Sequence, residues 1–253
     1  MKTKMLGILL LAAPLLAAPP RIAGGEVRML GSLENASSVT NGWIGYQIET
    51  TKSFSSCGCS LTSDNNNITN IGDSDDIGPA NRSMLLFARV REGRVDRMRF
   101  FSPDCTLSAK NQTVYWVDRV TPAESIAFLR NEATDTGLLA MSMQEGGIDA
   151  LIDIARNNPS SRTRGKALFW LSQAAGEKAA AALRQAVDND PEAEVKSKAV
   201  FGISQLPNDQ SIPLLIDLLK HHRSREVRKK AAFWLGQKND PRAVEAIADI
   251  LRQ

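Results

Sequence analysis

The chain has 253 residues, with 31 basic and 28 acidic side chains and a formal net charge of +3, which is room for one large or two modest domains. So small a surplus, with the two signs mixed along most of the chain, excludes charge as a reason to expect a nucleic-acid partner.

Residues 1–20 read MKTKMLGILLLAAPLLAAPP. Lys2 and Lys4 precede an apolar run from Met5 to Ala18 that is too short to span a bilayer as a helix and ends in small residues. This is the pattern of a signal peptide, so the protein is expected to be exported, periplasmic or secreted. A retained, membrane-tethered N-terminus is the alternative. Pro19 and Pro20 leave the cleavage point open, and no later apolar run is long enough for a transmembrane segment.

Residues 24–120 have the grammar of strands and loops. WIGYQIET (Trp43 to Thr50) partly alternates, MLLFARV (Met84 to Val90) is continuously apolar but for Arg89, VDRMRFF follows a turn at Glu92-Gly93, and TVYWVDRV (Thr113 to Val120) follows one at Asn111-Gln112. Together they predict a small antiparallel sheet. The intervening stretch 53–83 is rich in Ser, Asn and Asp and is expected to be a long loop. Asp73, Asp75, Asp76 and Gly78 within it lack the residues that complete a calcium loop, since Ile77 and Met84 occupy ligand positions, and a solvated acidic loop is expected. Cys57, Cys59 and Cys105 are the only cysteines. In an exported chain they suggest a disulfide between Cys105 and one of the other two, pinning the loop. The odd count leaves open a free thiol, exchange between neighbours, or a dimer through the spare cysteine, although a monomer is expected. A metal site would lack a fourth ligand, because His221 and His222 lie far along the chain.

From Thr121 the period becomes helical. Thr121-Pro122-Ala123-Glu124 is a helix start, and a second helix is expected over 136–143. Then GIDALIDIA, KAAAALRQAV, SIPLLIDLL and AVEAIADIL align at a fixed step, and between them KALFWLSQ (Lys166 to Gln173), KAVFGISQ (Lys198 to Gln205) and KAAFWLGQ (Lys230 to Gln237) repeat every 32 residues. Pro159 and Pro191 mark the breaks. Two helices per unit at this period define a stacked solenoid over 121–253, with 121–144 as a degenerate cap. The expected fold class is therefore α+β: a small disulfide-pinned antiparallel β domain followed by an α-solenoid.

Glu226-Val227-Arg228-Lys229-Lys230-Ala231-Ala232, then Trp234-Leu235-Gly236 and Asn239-Asp240-Pro241-Arg242-Ala243-Val244, resemble the HEAT-repeat family, in particular the short repeats first described in phycobilisome lyases. Glu194-Val195-Lys196 and, more loosely, Arg162-Thr163-Arg164 follow the same order. The resemblance covers residues 146–253 well and the strand-rich half not at all. The layout of a signal, a CGC pair, an SPDC segment and then repeats is similar to that of exported bacterial HEAT-repeat proteins. The resemblance implies a scaffold or binding surface, second helices lining the concave side, and no reaction.

The sequence carries few signs of catalytic chemistry. Two adjacent histidines make no Ser-His-Asp or Cys-His arrangement, there is no Gly-x-Ser-x-Gly elbow or Gly-rich phosphate loop, and the paired His-Glu ligands of HEAT-type hydroxylases are missing. No catalytic residue, metal ligand or cofactor is assigned. A thiol-redox or lyase-type enzyme using the CGC pair, with the solenoid as docking arm, is the alternative function. The basic run HHRSREVRKK (His221 to Lys230) is read as structural rather than DNA-binding, because Arg164, Lys196 and Arg228 match the family's inter-repeat arginine position.

At 100° per residue, Lys166, Phe169 and Gln173 share one narrow helix face, as do Lys198, Phe201, Gln205 and Lys230, Phe233, Gln237. Ala167, Leu171, Val227, Ala231 and Leu235 form the core face beside it. The Lys-Phe-Gln stripe is thus either a spacer between units or a surface that binds a protein or peptide of unknown identity. Gly202 stands where the other copies have Trp170 and Trp234, and implies either close packing or a pocket.

Overall fold

A computed structural model describes residues 19–56, 61, 68–72, 82–132, 134–174 and 176–252. Residues 1–18, Cys57, Cys59 and Asp73 to Gly78 lie outside them, so the expected signal and the acidic loop are not part of the fold described below.

Among the described residues nine strands come first: β1 (Ile22–Ala23), β2 (Val27–Met29), β3 (Gly42–Glu49), β4 (Ser53–Ser56), β5 (Ile68–Gly72), β6 (Ser83–Arg91), β7 (Arg94–Phe101), β8 (Leu107–Ser108) and β9 (Val114–Val117), with a short 3-10 helix at Leu33–Ser38. The main sheet has the order β2-β9-β3-β6-β7. The pairs β3–β6 and β6–β7 are antiparallel, the latter closed by Glu92 and Gly93 at φ 51° and 72°, as a tight primed turn requires. β9 instead runs parallel to both β3 and β2.

The expectation of a disulfide-pinned antiparallel domain is corrected on both counts. The sheet is mixed, because the chain after β7 crosses back over residues 102–113 and inserts β9 on the far side of β3 rather than continuing the meander. No disulfide joins two described residues, among which Cys105 is the one cysteine, and it is buried. What encloses the described β half is packing on both faces of the sheet. Ile44, Tyr46, Leu86, Ala88 and Val117 face the helices, while Trp43, Leu85, Phe87, Val114 and Trp116 face a second core completed by Leu61, Leu107 and Ala109. Burial of both faces is why MLLFARV has no alternation. The expected long loop 53–83 is corrected too, since β4 and β5 pair antiparallel within it.

Nine helices follow among the described residues: α1 (Pro122–Glu132), α2 (Asp135–Ser142), α3 (Gly147–Asn157), α4 (Ser161–Ala174), α5 (Glu177–Asn189), α6 (Ala193–Gln205), α7 (Asn208–His221), α8 (Arg225–Gly236) and α9 (Pro241–Leu251). α1 opens on a reciprocal cap in which the Thr121 N–H and hydroxyl donate to Glu124 Oε2 at 2.8 and 2.7 Å and the Glu124 N–H donates to Thr121 Oγ1 at 3.2 Å. Pro159 and Pro191 precede α4 and α6 by two residues instead of opening them. Asn158 and Asp190 terminate the preceding helices, and their carboxamide and carboxylate oxygens take the N–H groups of Ser160 and Glu192.

The helices stack as two layers, α4, α6 and α8 in one and α3, α5, α7 and α9 in the other. Consecutive helices of the first layer pack more closely than those of the second, and the more crowded layer of a curved stack is its inner side. Leu151, Leu183, Leu215, Ala167, Leu171, Ala231 and Leu235 are all fully buried between the layers, as the repeat columns predict. The core is continuous from the sheet to α9, joined by Tyr46, whose ring meets Phe128 edge-on at 6.1 Å and whose hydroxyl lies 3.2 Å from Ser125 Oγ.

Candidate protein-binding face

Two columns of residues repeat along the inner helices, and the structure uses them differently. Arg164, 7% exposed, donates Nε and Nη2 to the two carboxylate oxygens of Asp190 at 2.8 and 2.9 Å and Nη1 to the carbonyls of Asn158 and Pro159. Lys196 donates to the Asp188 carbonyl, and Arg228 to those of His222 and Arg223. These groups tie each inner helix to loops and helix ends beside it. Burial alone pushes the Asp190 carboxyl up, but the Arg164 bonds and the Glu192 N–H outweigh it and hold the carboxyl below its ordinary value. The same bonds raise the Arg164 guanidinium. Within the basic run 221–230, Arg223, Arg228 and Lys229 are also paired, and His222 is buried with its Nδ1 accepting the Ser224 N–H.

The Lys-Phe-Gln stripe lies outside the core. Phe169 is 41% and Phe233 59% exposed, and Gln173, Gln205, Lys230 and Gln237 are exposed as well. The three phenylalanines are not equivalent. Phe201 is half-buried and packs across units against Trp234 at 5.1 Å, so for this residue the spacer role holds. Phe169 and Phe233 instead lean edge-on against the Trp that follows each in its own helix, at 5.0 and 4.9 Å.

Gly202 explains the difference. The residue that would cover Phe169 as Trp234 covers Phe201 is Gly202, which has no side chain. A Cβ there would stand 2.5 Å from Leu183 Cδ2 and 3.5 Å from Ser172 Cβ. Close packing of α6 against α4 and α5, and no pocket, is therefore what the glycine serves, and an uncovered Phe169 is its consequence. Sequence reasoning left that choice open, because helical periodicity assigns a face but not its neighbour.

The lysines also diverge. Lys166 bonds Asp135 of α2 at 2.8 Å, and Lys198 bonds Glu194 at 2.7 Å while its stem lies across Gly165, whose added Cβ would meet Lys198 Cδ at 2.6 Å. Their stems cover the stack, as long cationic side chains do. The Gln173 and Gln205 amides donate to the neighbouring serine hydroxyls at 3.4 and 3.1 Å, which in turn donate to the Phe169 and Phe201 carbonyls. In the third copy Gly236 replaces that serine. The face therefore presents aromatic rings flanked by cationic and amide groups, with nothing nucleophilic among them. Beyond the sequence reading, α9 exposes Val244 and Leu251, and the edge strand β2 exposes Met29.

Among the described residues no three metal-ligating side chains converge, and no helix is long and apolar enough to cross a membrane.

A family of HEAT repeats matches residues 148–228, and the PBS lyase HEAT-like repeat matches residues 227–253. No curated protein matches the chain. Among solved structures, human deoxyhypusine hydroxylase in complex with glycerol is similar at 25% identity and a TM-score of 0.34, over 39% of this chain and 35% of its own; the similarity spans about a third of that enzyme and carries no argument about activity here. The helical half of the chain, from 148 to 253, is a HEAT-repeat array that ends in a unit of the PBS lyase HEAT-like type.

Proposed function

We propose that the protein is a non-catalytic scaffold or adaptor that holds a protein or peptide along the inner face of its HEAT repeats, and that residues 1–20 direct its export. A repeat array of this kind is suited to protein interaction, because stacking gives a long, regular surface without a reaction centre. The observation that carries the reading is the pair of open rings, Phe169 and Phe233, on helices whose core and arginine columns are buried or paired. Large aromatic side chains left in reach of solvent are the groups from which interfaces draw most of their energy. Lys230, exposed and without an ion pair among the described residues, adds a cationic contact at one end. The thiol-redox alternative depends on Cys57 and Cys59, and no described feature favours it.

Site-specific photo-cross-linking tests the reading. Phe169→p-benzoylphenylalanine and Phe233→p-benzoylphenylalanine, expressed in the native host, are expected to capture the same polypeptide, and Val244→p-benzoylphenylalanine on α9 is expected to capture none of it. Equal capture from all three positions, or from Val244 alone, contradicts an inner-face site. Export is read separately: recovery of the chain without residues 1–20 from the envelope or culture fluid supports it, and retention of the full chain in the cytoplasm contradicts it.

A further inference from the structure

A cleft of about 380 Å³ opens where the sheet meets the first helix, away from the repeat face. Its floor is apolar, made by Ile44 and Val90, both buried, with Phe128 on the wall. Its rim carries three carboxylates on different elements, Glu34 on the 3-10 helix and Glu124 and Glu132 on α1, and no lysine or arginine lines it. That volume lies within the range of small-molecule sites, where an apolar body is held by a few polar groups.

The carboxylates differ in their partners. Glu124 is held by Thr121 in the helix cap. Glu132 is only half exposed and makes no hydrogen bond or ion pair among the described residues; burial alone pushes its carboxyl up. A carboxylate drawn partly out of water with nothing in return is destabilising unless a cation or donor replaces the lost solvation. The described residues supply none, yet the cleft beside it has an apolar floor and an aromatic ring, the surroundings in which an organic cation is bound through both its body and its charge.

We propose that this cleft binds a small amphiphilic amine, its apolar body on Val95, Ala127 and Phe128 and its cationic head at Glu132. The same chemistry is presented by a free arylalkylamine and by an aromatic-arginine pair in a polypeptide, and the two sources separate by experiment.

The probe is 2-phenylethylamine, titrated calorimetrically into the full chain beside 2-phenylethanol and 3-phenylpropionate. The ammonium is expected to bind saturably, at least about tenfold more tightly than the alcohol, with the carboxylate not binding. Glu132→Gln, which keeps the shape and removes the charge, is expected to weaken the ammonium about tenfold at an unchanged melting temperature. If that variant does not fold, Glu34→Gln on the opposite wall is expected to weaken it in the same sense. N-acetyl-phenylalanyl-arginine amide, binding more tightly than the amine, assigns the site to a polypeptide side chain; binding more weakly, it assigns the site to a free amine. Equal affinity for amine and alcohol, an ammonium affinity indifferent to both substitutions, or no saturable binding of any probe overturns the proposal.

Discussion

The arginine column and the phenylalanine column repeat at the same step along the same three helices, yet one is consumed by the fold and the other is left open at two of its three positions. Arg164, Lys196 and Arg228 each end on carbonyls at or just after the end of the preceding helix, so their repetition records that every inner helix is tied to the helix before it, and Arg164 alone also reaches a carboxylate of the next unit. Among the described residues, Phe169 and Phe233 pair their rings only with the tryptophan beside each and stay open to solvent, and their repetition records no structural demand of that kind. Residues that recur with the repeat are thus not all alike: the test is whether the partner recurs with them.

Substitutions that break this contrast have a definite order of size. Leu171→Ala, in the core face of α4 and fully buried, is expected to cost about 3 kcal/mol in urea denaturation. Arg164→Ala is expected to cost about the same, roughly 3 kcal/mol, because it strands the buried Asp190 carboxylate. A loss below about 1 kcal/mol would mean that the pair is solvated and the column no tie.

Gly202→Trp sharpens the comparison from the other side. It restores the residue found in the neighbouring units and covers Phe169, but it drives into Leu183, so a loss of about 2 kcal/mol is expected. Thermal unfolding that is unchanged would show that α6 has room to spare.

A smaller effect comes from acid. Because the Asp190 carboxyl is held below its ordinary value in the folded state, the stability it contributes is complete above the unfolded carboxyl's pKa, about 3.9, and is lost as pH falls through it toward the lower folded value. Arg164→Ala removes the cause of that shift. Its urea midpoint is therefore expected to depend less steeply on pH below about 4 than that of the unchanged chain, and an identical slope would contradict the account.

How much of this was legible beforehand follows from which interactions are local. The helix pairs could be read because Leu151, Leu183 and Leu215 recur at one spacing, and a helix reports its own buried face. Strands β3, β6, β7 and β9 were legible for the same reason, as runs of apolar residues between turns. The β6–β7 hairpin was legible from its Glu92-Gly93 turn, but the place of β9 was not, because its residues say nothing about whether its neighbour runs with it or against it. The hairpin of β4 and β5 was hidden by a Ser, Asn and Asp composition that ordinarily marks loops. For the stripe, the sequence located Lys166, Phe169 and Gln173 and their copies on one face. It could not separate the packed Phe201 from the open Phe169, since that depends on whether Trp234 or Gly202 lies opposite in the next unit.

The central claim is that Phe169 and Phe233 are held for a partner and not for the fold. It is tested most directly by Phe169→Ala combined with Phe233→Ala, measuring the melting temperature and the capture of the partner identified by cross-linking. The account predicts that each substitution costs less than about 0.5 kcal/mol, moving the melting temperature by no more than about 3 °C in total, while capture is lost. A fall of about 10 °C or more, or capture that persists at full strength, would show that the open rings are packing and that the partner binds elsewhere.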